Sequence, residues 1–152
     1  MAALKDRLRA DLTESMKDRN QVRTRTLRMV LTEIAKEEVA GQASRELDDA
    51  EIERLLAREA KRRREAADAF SDAGRTDQAD AEKAEGKVLA EYLPAQLDDN
   101  ELRALVAAAI SATGAAGPSG MGQVMKAVTP KLAGRAEGAR VAAEVRRQLA
   151  TG

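Results

Sequence analysis

The chain has 152 residues, no net charge at pH 7 and 43% hydrophobic residues, enough for one packed domain or two small ones. It contains no cysteine and no histidine, and only Phe70 and Tyr92 are aromatic. Disulfides, thiolate nucleophiles, imidazole bases and the usual zinc ligands are therefore excluded, and no metal or cofactor is expected. An aliphatic composition rich in Glu, Arg, Lys and Ala predicts an all-α fold.

The first half of the chain is predicted to form four helices. Leucine or methionine recurs at every fourth position within residues 2–18, which indicates an amphipathic first helix. Asn20 is expected to cap the second helix, and Asp48 to begin the third with a capping box. The third helix should end at Gly74, and Thr76 should cap the fourth.

Pro94 interrupts this helical pattern, because proline lacks a backbone donor and pushes the preceding residue out of helical conformation. The surrounding segment Glu91–Leu97 separates a charge-rich region from one rich in Ala and Gly. We therefore predict an N-terminal four-helix domain over residues 1–94 and a small three-helix tail domain over residues 95–152. Tyr92 lies beside the break, and we expect its ring to pack against the tail.

Three short helices are predicted in the tail. The segment 97–102 repeats the capping pattern of the segment 47–52, so a helix should begin at Asp98. Ser119 is expected to cap the next helix, and the last should run over about residues 137–150. From Ser119 to the end there are 6 basic and 2 acidic residues, and an anionic partner should prefer this part of the chain.

Charged residues interrupt the apolar stripes of the third and fourth helices. The favoured interpretation is an ion-pair network of Glu59, Arg63 and Glu85, and the alternative is a polar groove that a partner uses. The run 61–64 is dispersed around its helix and is interpreted as a solvated, salt-bridged face. Glu82 and Glu85 lack a neighbouring nucleophile, metal ligand or glycine-rich loop, so no catalytic residue is predicted.

Two glycines stand near Ser119, at the predicted start of the sixth helix. Gly120 and Gly122 would leave backbone N–H groups unshielded there, which favours a phosphate. A tight contact between helices explains the glycines equally well. The basic residues that follow favour the phosphate interpretation.

Several segments together resemble the YqeY family, in the right order and over nearly the whole chain. They are Thr26–Met29, Lys61–Arg63 with Phe70, Ala73–Asp77, Glu91–Leu97, Met121–Lys126 and Gly134–Gly138. That family is similar to the C-terminal region of the B subunit of tRNA-dependent amidotransferase, whose tail helps to hold tRNA. The resemblance implies a helical domain followed by a three-helix tail. It also implies that the stretch from Met121 to Gly138 contacts tRNA.

The candidate tRNA-binding residues are Ser119, Gly120, Gly122, Lys126, Lys131, Arg135 and Arg140. The amidase and the phosphorylating sites of the amidotransferase have no counterpart in these residues. We expect a non-catalytic tRNA-binding or tRNA-associated accessory protein, with an amidotransferase or an aminoacyl-tRNA synthetase as a candidate partner. The alternatives are a protein-interaction adaptor and, as a label by homology, an amidotransferase-like carbon–nitrogen ligase with glutamine as amido-N-donor.

The N-terminal residues interleave charge within their first turns, and no apolar run is long enough to span a membrane. A signal segment and a membrane partner are therefore not expected. A cytoplasmic location is the expectation that follows.

Overall fold

The computed structural model describes residues 2–132 and 134–151, and within them the secondary structure is entirely helical. The all-α prediction is confirmed. The α-helices are α1 (Ala3–Lys17), α2 (Gln21–Glu38), α3 (Asp49–Asp72), α4 (Thr76–Ala90), α5 (Asp99–Thr113), α6 (Met121–Leu132) and α7 (Gly138–Thr151), with a 3₁₀ turn at Pro118–Gly120. The chain divides into two compact units, Met1–Leu93 and Pro94–Gly152.

The N-terminal unit packs α1 to α4 around one aliphatic core. Its members are almost all Leu, Ile and Val, as a composition with two aromatic residues requires. The fully buried side chains of this core include Leu8, Leu27, Val30, Ile34, Ile52, Leu56 and Leu89. On α2, the i, i+3, i+4 and i+7 spacing of Leu27, Val30, Leu31 and Ile34 places these four side chains on one face of the helix.

The caps of the N-terminal unit decide where its helices begin. Asn20 accepts a hydrogen bond from the Arg23 backbone at 3.1 Å, and Asp48 forms the predicted capping box with Glu51. The prediction for Thr76 is wrong by one position. Thr76 is the first residue of α4, and Arg75 stands at the N-cap without a side-chain hydrogen bond.

Tyr92 is a core residue of the N-terminal unit and is 5% exposed. Its hydroxyl donates to Asp11 at 2.5 Å and accepts from Arg23 at 3.1 Å, and the Arg7 guanidinium lies 4.5 Å from the ring centroid. Burial, together with the bond to Asp11, raises the pKa of this phenol well above its usual value. The structure places this ring between α1, α2 and the end of α4. Packing of the ring against the tail stays a prediction.

The C-terminal unit packs α5, α6 and α7 around a second core. Its fully buried residues include Val106, Val124, Val128, Val141 and Val145. The predicted capping box is present, with Asp98 accepting from the Glu101 backbone at 2.7 Å. Gly114 ends α5 with a φ of 68°, a left-handed conformation that favours glycine.

The prediction that Ser119 caps α6 is wrong. The chain is already helical from Pro118, so Ser119 lies inside the 3₁₀ turn that leads directly into α6. Proline favours this early start because its fixed φ suits a first helical position.

Among the described helices, none is by itself long and apolar enough to cross a membrane. The segments Asp99–Thr113 and Pro118–Leu132 meet that criterion only when taken as a pair, and they are bent by 95°.

Candidate nucleic-acid interface

The turn before α6 contains a glycine that close packing requires. A Cβ atom on Gly120 would lie 2.7 Å from the Cβ of Ala115, too near for any side chain without a shift of the backbone. Gly120 is accordingly buried. Close packing therefore accounts for Gly120, although the contact is with the loop residue Ala115 and not between two helices as predicted.

Gly122 differs from Gly120, because it is exposed and a Cβ atom there would meet nothing within 4 Å. Packing does not account for this glycine. It lies in the first turn of α6, next to the exposed Ser119. The preceding 3₁₀ turn supplies an acceptor here, because the Met121 N–H donates to the Pro118 carbonyl, so α6 does not begin with a full set of unpaired N–H groups. The backbone at Gly122 is nevertheless exposed and carries no side chain that would keep a ligand away.

Lys126 and Lys131 are the exposed cations of α6. Among the described residues, no carboxylate lies within salt-bridge distance of either ammonium group. At 3.6 residues per turn, Lys126 lies about 40° around the helix from Gly122, and Lys131 about 140° from Lys126. Gly122 and Lys126 therefore share a face, and Lys131 stands apart near the end of the helix.

Arg135 follows α6 and is engaged within the C-terminal unit. Its Nε donates to the Ala95 carbonyl at 2.8 Å, and its own carbonyl accepts from the Leu97 backbone at 2.8 Å. Its guanidinium also lies 3.6 Å from the Glu101 carboxylate. Through these contacts, Arg135 holds the chain segment that precedes α5.

Arg140, in the first turn of α7, contacts the same segment. One guanidinium nitrogen donates to the Leu97 carbonyl at 2.7 Å, and the other donates to Asp99 at 2.8 Å. Sequence reasoning did not find these partners, because Arg140 and Leu97 are 43 positions apart. One signal was available in the sequence, since the segments Glu91–Leu97 and Gly134–Gly138 are both among those that resemble the YqeY family. The structure brings parts of these two segments into contact.

The charge of α7 is partly compensated. Arg147 donates two hydrogen bonds to Glu144, which lower the pKa of that carboxyl to about 2. Glu144 therefore stays ionised at neutral pH and balances Arg147. Arg146 is exposed, and no carboxylate of the described residues pairs with it. The uncompensated cations of this unit thus include Lys126, Lys131 and Arg146.

The candidate ion-pair residues lie together in the N-terminal unit, between α3 and α4. The Arg63 guanidinium is 3.0 Å from Glu85, 3.4 Å from Glu59 and 3.6 Å from Glu82. Glu59 is only 5% exposed. Such a buried carboxylate needs a cationic partner, because an unpaired charge would be costly to desolvate.

The basic run on α3 is also engaged with neighbouring groups. Lys61 lies 3.9 Å from Glu65, and Arg62 lies 3.3 Å from Glu59. Arg64 has a partner as well. This run therefore offers less free positive charge than its sequence suggests, in contrast to α6. Within the described residues, no group of three or more acidic side chains is arranged to hold a metal ion.

Residues 5–149 match the family model described as Yqey-like protein. The chain belongs to the YqeY family. Because the match extends over both units, the family assignment rests on the four N-terminal helices as well as on the C-terminal ones. A comparison with curated proteins found no match.

Proposed function

We propose that this member of the YqeY family is a non-catalytic, cytoplasmic accessory protein that binds tRNA. In this proposal the helices up to Pro94 are a scaffold domain and residues 95–152 are a recognition domain. The observation that carries the proposal is the exposed face of α6, where Gly122 presents backbone without a side chain and Lys126 has no ion-pair partner among the described residues.

Three features support a polyanionic ligand over an uncharged one. The chain from Ser119 onward has 6 basic and 2 acidic residues. The lysines of α6 have no carboxylate partner among the described residues, whereas the basic run of α3 is largely paired. There is no aromatic side chain beyond Tyr92, so the contacts would be made with phosphates and would not stack on bases.

The resemblance to the amidotransferase B subunit gives the class of RNA and the candidate protein partners. An amidotransferase or an aminoacyl-tRNA synthetase would present a charged tRNA, and this protein would hold it. The proposal assigns no chemistry to the chain itself, because the candidate carboxylates Glu82 and Glu85 both lie beside Arg63.

The test is binding of unfractionated tRNA at a series of salt concentrations. We expect affinity to fall steeply with salt, and we expect Lys126→Gln and Lys131→Gln each to weaken binding. Each variant should also lower the slope of log affinity against log salt, by about 0.9 or less for each phosphate that the lysine neutralises. Glutamine keeps the helix propensity of lysine. Lys17→Gln is the matched control, since it removes an exposed lysine from the N-terminal unit.

No binding at low salt would overturn the proposal. Equal weakening in the Lys17 and Lys126 variants would also do so, because the binding would then be non-specific. Recovery of a stoichiometric protein partner that nuclease treatment leaves in place, together with weak salt dependence, would establish the adaptor function in its place.

A further inference from the structure

The segment that enters α5 is held by the turn between α6 and α7. The Leu97 backbone donates to the Arg135 carbonyl at 2.8 Å, and the Arg135 side chain donates back to Ala95 at 2.8 Å. Gln96 also reaches the Gly134 carbonyl, at the longer distance of 3.5 Å. The segment 95–97 is not helical, so its backbone groups need partners of this kind.

Arg140 completes the contacts on the other side of Leu97. It bridges the Leu97 carbonyl and the Asp99 carboxylate, at 2.7 and 2.8 Å. The planar guanidinium donates in two directions at once, which a lysine ammonium does with less geometric definition. The Leu97 side chain between these contacts is 4% exposed and belongs to the core of the unit.

These bonds restrict how Arg135 and Arg140 could bind RNA. Each guanidinium keeps further N–H donors, but a phosphate that drew either side chain away from its present position would leave the Ala95 or Leu97 carbonyl without this donor. Leaving such groups unpaired is unfavourable wherever they are shielded from water. Lys126 and Lys131 carry no such cost, because neither has an ion-pair partner among the residues described.

We propose that Arg135 and Arg140 form an arginine clasp, which fixes residues 95–97 against the turn 134–136 and positions the start of α5. They are positioning residues of the recognition domain and do not contact tRNA. The inference deepens the proposed function, on which it rests, by removing two arginines from the RNA surface and leaving Gly122, Lys126 and Lys131.

The first arm of the test needs no RNA. Amide hydrogen exchange at Leu97 is measured in the full-length protein, because this amide donates to Arg135 within the clasp. We expect Arg140→Ala to speed this exchange at least tenfold, and Arg140→Lys to have a smaller effect. Arg147→Ala is the control, since it removes an equal charge from an exposed position on the same helix.

If Arg140→Ala prevents folding of the unit, Arg140→Lys and Asp99→Asn provide the same comparison with milder changes. Exchange at Leu97 that stays at the wild-type rate in all of these variants would overturn the clasp. This result is independent of whether the protein binds tRNA, so the two proposals fail separately.

The second arm compares the salt dependence of tRNA binding. We expect Arg140→Gln and Arg135→Gln to leave the slope of log affinity against log salt unchanged, because these arginines neutralise no phosphate in the proposal, whereas Lys126→Gln lowers it. A slope lowered by Arg140→Ala as much as by Lys126→Gln, with unchanged exchange at Leu97, would assign Arg140 to the RNA surface and overturn the inference.

Discussion

The two halves of the segment Glu91–Leu97 are held by different chemistry. In the first half the contacts are made mainly to side chains, because Arg23 pairs with the Glu91 carboxylate and the Tyr92 hydroxyl binds Asp11. The one long bond to the backbone there is from Arg7 to the Glu91 carbonyl, at 3.4 Å. In the second half they are made mainly to the backbone, because Arg135 and Arg140 donate to the carbonyls of Ala95 and Leu97. Each set of contacts lies within its own unit.

This difference predicts which positions tolerate change. A segment held through its side chains depends on the identity of those side chains, so Glu91 and Tyr92 should be sensitive. A segment held through its carbonyl groups depends on the residues that donate, so Ala95 and Gln96 should accept other side chains. Leu97 is the exception in the second half, since its side chain is also buried in the core.

The largest effect is expected from Leu97→Ala. Removing a fully buried leucine costs about 2–5 kcal/mol, so amide protection across α5, α6 and α7 should fall sharply. Gln96→Ala is the neighbouring control and should change stability by less than about 0.5 kcal/mol. A large destabilisation by Gln96→Ala would show that the second half also depends on its side chains, and the contrast would fail.

A smaller effect is expected from Tyr92→Phe. The ring remains, and Asp11 and Arg23 lose their bonds to the hydroxyl but keep ionic partners in each other and in Glu91, so the cost should be about 0.5–1.5 kcal/mol. Urea unfolding followed by circular dichroism, together with hydrogen exchange on α1 and α2, measures the destabilisation. The C-terminal helices should keep their protection, and equal destabilisation of both units would contradict the assignment of Tyr92 to the N-terminal core.

The smallest effect is the contribution of Tyr92 to the pH dependence of folding stability, which is expected only in alkaline solution. Folding raises the pKa of Tyr92 above its unfolded value of about 10, so its contribution is complete below that pH and is lost as the pH rises towards the folded pKa. The chain has no other tyrosine and no tryptophan, so ultraviolet absorbance follows this one ionisation. Native protein should titrate well above urea-unfolded protein, and coincident midpoints would refute the buried hydrogen bond.

The elements that the sequence predicted best depend on local periodicity and local capping. The stripes on α2 and the boxes at Asp48 and Asp98 involve residues within one or two helical turns, and the structure contains them. Thr76 and Ser119 failed as caps because both lie one or more residues inside a helical turn. Pro118 begins the 3₁₀ turn, which moves the helical start ahead of Ser119.

The candidate interface was harder to predict, because each residue type fits more than one role. Gly120 and Gly122 look alike in the sequence. Packing requires a glycine only at position 120, because Ala115 lies against it and no atom lies near Gly122. Arg135 and Lys126 both add positive charge, but Arg135 meets carbonyl groups about 40 positions away. Such long-range partners leave no periodic signal in a single sequence, and only the folded chain shows which cations stay free.

The close approach of Gly120 to Ala115 couples two positions that no charge or motif connects. An alanine at position 120 becomes acceptable when position 115 is a glycine, so the two positions should vary together among homologous chains. Such paired variation would record the space between the α5–α6 loop and the start of α6. A glycine retained at position 120 would accordingly report on packing volume and would not by itself indicate a ligand.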